Sequence, residues 1–273
     1  MSALSIEIHS HALQGVVRLK QVGNAISLAL SGILVAVFLW WAGTSLLATE
    51  NSLLLSFSPV ACFQALLQLL QTGEIFTHIR VSLERVLLSL LFALLVGIPL
   101  GIVVGLSKVL EKATSPLFQF IRMISPISWM PLAVMMFGIG DAPVYFLLTI
   151  AAVWPIMLNV SAGVHAVDAR WLTLAQSLCA TRWETVIRII IPAIVAHTLT
   201  GIRLAIGIVW IVLVPAEMLG VSAGLGYFIL DTRDRLAYSE LMAVILLIGL
   251  IGYLLDLAVR LFIKHFVHQR ENT

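Results

Sequence analysis

A chain this apolar carries few groups able to do chemistry, so each one needs a reason. Of 273 residues, 60% are hydrophobic and 11% are charged. Arg122, Arg203 and Glu217 fall inside long apolar stretches, where inserting a charge costs about 2.5–3.5 kcal/mol. Two kinds of chemistry would justify that cost. Arg122 or Arg203 faces a watery path and attracts a small anion, or each bonds to acids on neighbouring helices and to carbonyls freed by Pro126 and Pro131. Near them, Pro126, Trp129 and Pro131 break an apolar stretch, and irregular backbone at membrane depth is tolerated where it lines a cavity or is buried in protein. Arg122, Pro126, Trp129, Pro131, Arg203 and Glu217 are therefore the expected pathway or gate residues. Asp256 and Arg260, four apart, are expected to pair with each other.

Other chemistries find no support. The seven histidines (His9, His11, His78, His165, His197, His265 and His268) show no metal-ligand spacing. Gly224-Leu225-Gly226 is too short for a dinucleotide fingerprint, and there is no phosphate loop. A net charge of +2 with no basic run argues against nucleic acid. Cys62 reads as a packing residue and, on the topology below, lies across the membrane from Cys179, so no disulfide is expected. The chain is expected to bind no cofactor or metal and to catalyse no covalent step.

The longest polar interruption is Trp171 to Pro192, WLTLAQSLCATRWETVIRIIIP. Asp168 can cap a short helix with Trp171, Leu174, Ala175 and Leu178 on one apolar stripe. Cys179-Ala180 would turn the chain. Thr181 and Glu184 then form the T-x-x-E pattern of a capping box, Arg182 and Arg188 keep the second helix wet, and Pro192 sits where a new membrane helix could begin. A helix–turn–helix between two spans is suited to docking another protein.

These groups must be positioned by membrane helices. Mean hydropathy is +1.06, and several segments reach the roughly 20 apolar residues needed to cross a bilayer. About six spans are expected, near residues 25–48, 83–107, 115–139, 143–163, 193–220 and 240–263. Residues 1–23 form a cytoplasmic segment, 24–265 the transmembrane domain with its loop at about 165–192, and 266–273 a tail. Residues 49–75, with an amphipathic helix from Ala61 to Leu70, and 221–238 are expected outside. Gly97, Gly101 and Gly105 at four-residue spacing predict close helix packing. With the amino terminus inside, the inner segments hold Arg18, Lys20, Lys108, Lys112, Arg170, Arg182, Arg188, Arg260, Lys264 and Arg270, and the outer ones Arg80, Arg85, Arg233 and Arg235. The positive-inside rule then places both termini in the cytoplasm.

The polar loop resembles the cytoplasmic loop of binding-protein-dependent ABC transporter permeases, which reads Glu-Ala-Ala, three residues, Gly, nine residues, Ile-x-Leu-Pro. Here Thr173, Leu174 and Ala175 stand at the first three positions, Cys179 replaces Gly, and Ile189, Ile191 and Pro192 close the motif. Further stretches resemble the nitrate, sulfonate, taurine and bicarbonate subfamily. They are His78 to Gly105, Ser115 to Gly140, Pro155 to Asp168, Thr200 to Gly207 and Ala216 to Gly226, together covering roughly residues 60–260.

The resemblance implies an all-α integral membrane protein of the type I (MetI-like) importer fold in a bacterial inner membrane. It further implies a homodimer, cytoplasmic ATP-binding subunits carrying ATP and Mg, and an extracytoplasmic solute-binding protein that does most of the substrate selection. Trp171, Ala175, Leu178, Cys179, Ala180, Arg182, Trp183 and Glu184 would then be the ATPase-coupling residues. The expected function is the permease subunit of an importer for a small oxyanion. The alternative is a self-sufficient secondary transporter or channel, which would show inverted repeats and a polar cluster at the midplane.

Overall fold

A computed structural model describes residues 27–28, 30–46 and 53–271, and the described residues are helical with short turns. Helix is what an apolar environment demands, because every backbone amide and carbonyl must be satisfied within its own segment. The chain divides into two compact units, Met1–Leu67 and Gln68–Thr273. The expected cytoplasmic segment 1–23 and residues 272–273 of the tail lie outside the described residues.

In the first unit, α1 (Leu30–Leu46) is apolar but shorter than a full span. A 3₁₀ turn (Leu53–Phe57) precedes α2 (Pro59–Thr72), the amphipathic helix expected from Ala61 to Leu70, whose residues from Gln68 on fall in the second unit. Cys62 and Ala65 are buried, which suits the packing role expected of Cys62.

The second unit holds the rest: α3 (Glu74–Leu106), α4 (Lys108–Met123), α5 (Met130–Phe137), α6 (Asp141–His165), α7 (Ala169–Ser177), α8 (Arg182–Thr185), α9 (Ile191–Glu217), α10 (Leu225–Asp234) and α11 (Tyr238–Glu271). Its organising element is α6. Val144, Leu147, Leu148, Ala152, Ile156, Met157 and Val160 on it are fully buried, and α3 and α9 pack along it. The Gly97, Gly101 and Gly105 stripe makes the α3 contact possible. A Cβ on Gly101 would come within 2.7 Å of Val160, and one on Gly105 within 2.7 Å of Val164. Gly201 does the same for α9, where a Cβ would lie 3.1 Å from the Ile156 Cα. Backbones that close gain dispersion contacts that lipid cannot match. On the other side of α9, Trp210 Nε1 donates to the Ile248 carbonyl of α11 (3.2 Å).

Among the described residues, four helices are long and apolar enough to cross a membrane: Glu74–Leu106, Asp141–His165, Arg182–Glu217 and Tyr238–Lys264. A fifth span results if the bent pair Lys108–Met123 and Pro126–Phe137 counts as one. The expected six is thus approximate, and several boundaries move. The helix of the span expected at 83–107 starts at Glu74, so Arg80 and Arg85 both lie on it. The segment 221–238 is not a plain external loop, because α10 buries Leu225, Phe228, Ile229 and Thr232. The helix of the last span runs on to Glu271.

Pro192 does not open a new helix. α8, a π turn (Val186–Ile190) and α9 run as one helix from Arg182 to Glu217. Proline removes one amide donor and crowds the carbonyl four residues back. The π turn absorbs this, with the Ile191 amide reaching back to the Val186 carbonyl. The break expected at Pro126 and Pro131 is real, and the helices on either side of it meet at 87°. Ile124 and Ser125 are extended, as residues ahead of a proline tend to be.

Candidate functional site

Three places in the second unit gather the polar groups. The first is where α6 begins. Arg85 of α3 and Glu217 of α9 are both buried and paired, Nη1 donating to Oε1 at 2.7 Å. Ser82 Oγ lies 2.7 Å from Glu217 Oε1, and the Gly226 amide donates to Oε2 (2.9 Å). Arg85 Nη1 also reaches the Ala223 carbonyl (2.7 Å), and Nη2 reaches Asp141 at the start of α6. The Leu225 amide donates to Ser82 Oγ (2.8 Å), and the Gly224 amide to His78 Nδ1 (3.1 Å). Helices α3, α6, α9 and α10 are tied at one point.

Glycine lets the chain wrap this pair. Gly224 has φ +120°, and a Cβ there would lie 2.5 Å from both Arg85 Nη1 and Glu217 Oε1. A Cβ on Gly226 would run into the Val214 carbonyl.

The second place is where α6 ends. Asp168 accepts from the Arg170 amide (2.9 Å) and caps α7. The α7 helix closes with the Cys179 amide on the Gln176 carbonyl (3.0 Å) and the Ala180 amide on the Ala175 carbonyl (2.9 Å), the paired bonds of a Schellman ending. Cys179 takes φ +53° to do so, a conformation glycine adopts without penalty. The substitution therefore keeps the turn and carries local strain. Across the turn, Glu184 Oε2 accepts from the Thr181 amide (2.8 Å) and Thr181 Oγ1 from the Glu184 amide (3.2 Å), completing the capping box. Trp171, Leu174, Leu178 and Trp183 are exposed, at 58%, 48%, 73% and 71%. Ala175, expected on that docking face, is buried. Arg182 and Glu184 are exposed.

The third place is the α4–α5 elbow. Two cavities, of about 320 and 460 Å³, meet there and share Arg122 and Leu158. Pro126 lines the second with Trp154, Pro155 and Asn159. Pro131 lines a separate apolar cavity of about 530 Å³ with Ile127, Val134 and Leu219.

Residues 97–271 match the family described as binding-protein-dependent transport system inner membrane component. The chain belongs to that family. Among similar permeases, the nitrate import permease NrtB of Leptolyngbya laminosa is 35% identical over 67% of this chain and 65% of its own length. The bicarbonate transport system permease CmpB of Synechococcus elongatus is 33% identical over 89% of this chain and 90% of its own. The taurine transport system permease TauC of Escherichia coli is 31% identical over 88% of each. Among solved structures, a chain of the inward-facing MetNI methionine ABC transporter superposes with a TM-score of 0.58 at 18% identity. It covers 67% of this permease and 92% of that chain, which speaks to the fold alone.

The structure sorts the permease's expected pathway residues into three groups. Arg122, Pro126 and Pro131 line cavities. Trp129 is half-buried against the core. Arg203 pairs with Asp256 on α11 (3.3 Å), which also holds Arg260 as expected. Glu217 is sealed against Arg85. For Arg203 and Glu217, pairing with a neighbouring helix accounts for the charge. Arg85, expected among the cations of the outer segments, is the hub of the buried network. The local sequence, Leu83-Glu84 before it and Val86-Leu87-Leu88 after it, hints at a helix entering an apolar stretch but not at its partner. Of the two cysteines, both unpaired, Cys179 is exposed, and burial pushes the Cys62 thiol above its ordinary range.

Proposed function

We propose that this permease is the membrane subunit of an ATP-driven importer for a small oxyanion, with nitrate, bicarbonate and alkyl sulfonates as the candidates. The names of its relatives support that substrate class. One observation carries the coupling to ATP: a doubly capped, rigid helix–turn–helix that leaves two tryptophans and two leucines in solvent. Exposed aromatic anchors on a rigid element are what a protein partner buries at the centre of an interface. On this reading the turn at residues 169–188 seats in a cytoplasmic ATPase subunit. Trp171, Leu178 and Trp183 give the buried contact, and Arg182 and Glu184 give orientation. Ala175 fixes the face from beneath, and Cys179 and Ala180 set the angle of the turn.

The remaining parts follow from the same reading. Both termini are cytoplasmic, two copies of the chain enclose the path, ATP and Mg bind the ATPase subunits, and an extracytoplasmic binding protein delivers the solute. The test is isolation of the complex from its native membrane through a tag on this chain. The expected result is recovery of an ATPase whose yield falls at least tenfold with Trp171→Ala and Trp183→Ala together, while the variant chain keeps its wild-type monodispersity. Full recovery of the ATPase with the double variant would overturn the docking assignment. Uphill uptake of nitrate, bicarbonate or taurine by vesicles holding this chain alone, with no nucleotide, would overturn the importer reading.

A further inference from the structure

The α4 helix is amphipathic the wrong way round for a helix lying on a protein. Its apolar residues Val109, Leu117, Phe120 and Met123 are exposed. Its polar residues Glu111, Ser115, Gln119 and Arg122, at spacings of four, four and three, share one face and, though Ser115, Gln119 and Arg122 stay exposed, line the 320 Å³ cavity with Phe118 and with Leu158, Ser161 and His165 of α6. Helices normally turn the apolar stripe to the core. The reverse is stable when the polar face meets water inside and the apolar face meets lipid or another apolar chain outside. A cavity that brings several polar groups against a membrane helix is the setting in which ionisable residues mark a solute path.

The charge pattern along that cavity is uneven. Glu111 sits at its far end and is engaged by His165, 3.4 Å away. Arg122 lies eleven residues on, about 16 Å along the helix, and lines both this cavity and the more apolar one lined by Pro126. Arg85 and Arg203 are each matched by a carboxylate, whereas Arg122 makes no ion pair or hydrogen bond among the described residues. The guanidinium is thus an uncompensated cation at the junction of two cavities, with the hydroxyls of Ser115 and Ser161 and the amide of Gln119 sharing its space. A planar or tetrahedral oxyanion is the ligand whose acceptors fit a guanidinium fork.

We propose that the Arg122 junction is a resting site for a small oxyanion in transit, with α4's inward polar stripe as the wet wall leading to it. Its identification with the transport path rests on the importer reading, but the site's affinity for anions does not. It can be tested on the full chain in vesicles without ATPase or binding protein.

In a Cys179→Gly background, where Cys62 is buried, Ser115→Cys puts a thiol two helical turns from Arg122. Its reaction with sulfonatoethyl methanethiosulfonate, itself an alkyl sulfonate, is compared with that of the trimethylammonioethyl reagent. Each rate is taken relative to free cysteine. The expected preference for the anionic reagent is about tenfold, abolished by Arg122→Gln and retained by Arg122→Lys. Nitrate or bicarbonate should slow the anionic reagent more than gluconate at equal ionic strength. Gln119→Cys repeats the measurement if Ser115→Cys does not fold. An unreactive thiol, equal relative rates, a preference that survives Arg122→Gln, or no effect of nitrate and bicarbonate would each overturn the site. Failure of ATP-driven uptake with the labelling pattern intact would instead count against the importer reading alone.

Discussion

Arg85 and Arg122 are the same residue on neighbouring membrane helices, and the structure treats them in opposite ways. Arg85 is sealed among Glu217, Asp141 and the Ala223 carbonyl, with only Nε left without a partner. Arg122 is exposed, makes no ion pair among the described residues and borders two cavities. Bringing a charge into an apolar medium is costly unless a counter-charge or water accompanies it. Arg85 has the counter-charge and Arg122 has room for water. A paired charge fixes helices; an unpaired one next to a void is free to meet a solute. The lock also lies where α6 begins, whereas the exposed helix–turn–helix lies where α6 ends, so one helix runs from a tightly bonded end to an end with exposed tryptophans.

The strongest way to break this contrast is to remove one partner of the lock. Arg85→Met leaves Glu217 buried and unpaired, and should cost about 3–5 kcal/mol. It would be read as a collapse of the thermal midpoint or of monodisperse yield in detergent. Replacing both, Arg85→Met with Glu217→Met, removes the charges together and should recover most of the loss. A single variant as stable as wild type would show that the pair does not hold the helices. Next in size is Gly226→Ala. Its Cβ would strike the Val214 carbonyl and lie 2.8 Å from the Glu217 Cβ, backbone and side-chain positions that cannot swing aside. About 1–3 kcal/mol of destabilisation is expected for overpacking of this kind. An unchanged midpoint would mean that the α9–α10 connection relaxes freely.

How much of this was legible in the sequence depends on how local the cause is. The capped helix–turn–helix was visible, because Asp168 acts on the residue two ahead and Thr181 and Glu184 act on each other. The elbow was visible because Pro126 and Pro131 constrain their immediate neighbours, and the α3–α6 contact because a four-residue glycine spacing means one helix face. The lock was hidden because Arg85 and Glu217 are 132 positions apart in sequence and nothing local announces the pairing. The α10 helix was hidden as well, since Asp231, Arg233, Asp234 and Arg235 make its end read as a solvated loop. Pro192 misled for a subtler reason. A proline normally ends or opens a helix, and only the π turn ahead of it lets this helix pass through.

A smaller effect, and of opposite sign, is expected at the other end of α6. Cys179 holds φ +53°, a conformation that costs a residue with a Cβ roughly 1–2 kcal/mol. Cys179→Gly removes that strain but makes the unfolded chain more flexible, so the net gain should be below about 1 kcal/mol. The turn itself should survive. Hydrogen exchange of the Cys179 and Ala180 amides is the measurement, and slower exchange in the variant is the expected outcome. Faster exchange would indicate that the cysteine side chain contributes something to the turn that its geometry does not reveal.

The smallest expected change is the one that sharpens the comparison most. Arg122→Met, the same substitution that should unfold the chain at Arg85, breaks no bond among the described residues and leaves no acid stranded. Its midpoint should stay within about 0.5 kcal/mol of wild type, the range of substitutions away from cores, caps and buried polar pairs. The two Arg→Met variants measured side by side separate two uses of an arginine in an apolar helix, one as a lock and one as a free cation. If Arg122→Met proved as damaging as Arg85→Met, then Arg122 would be holding structure, and the void beside it would not be a place kept open for a solute.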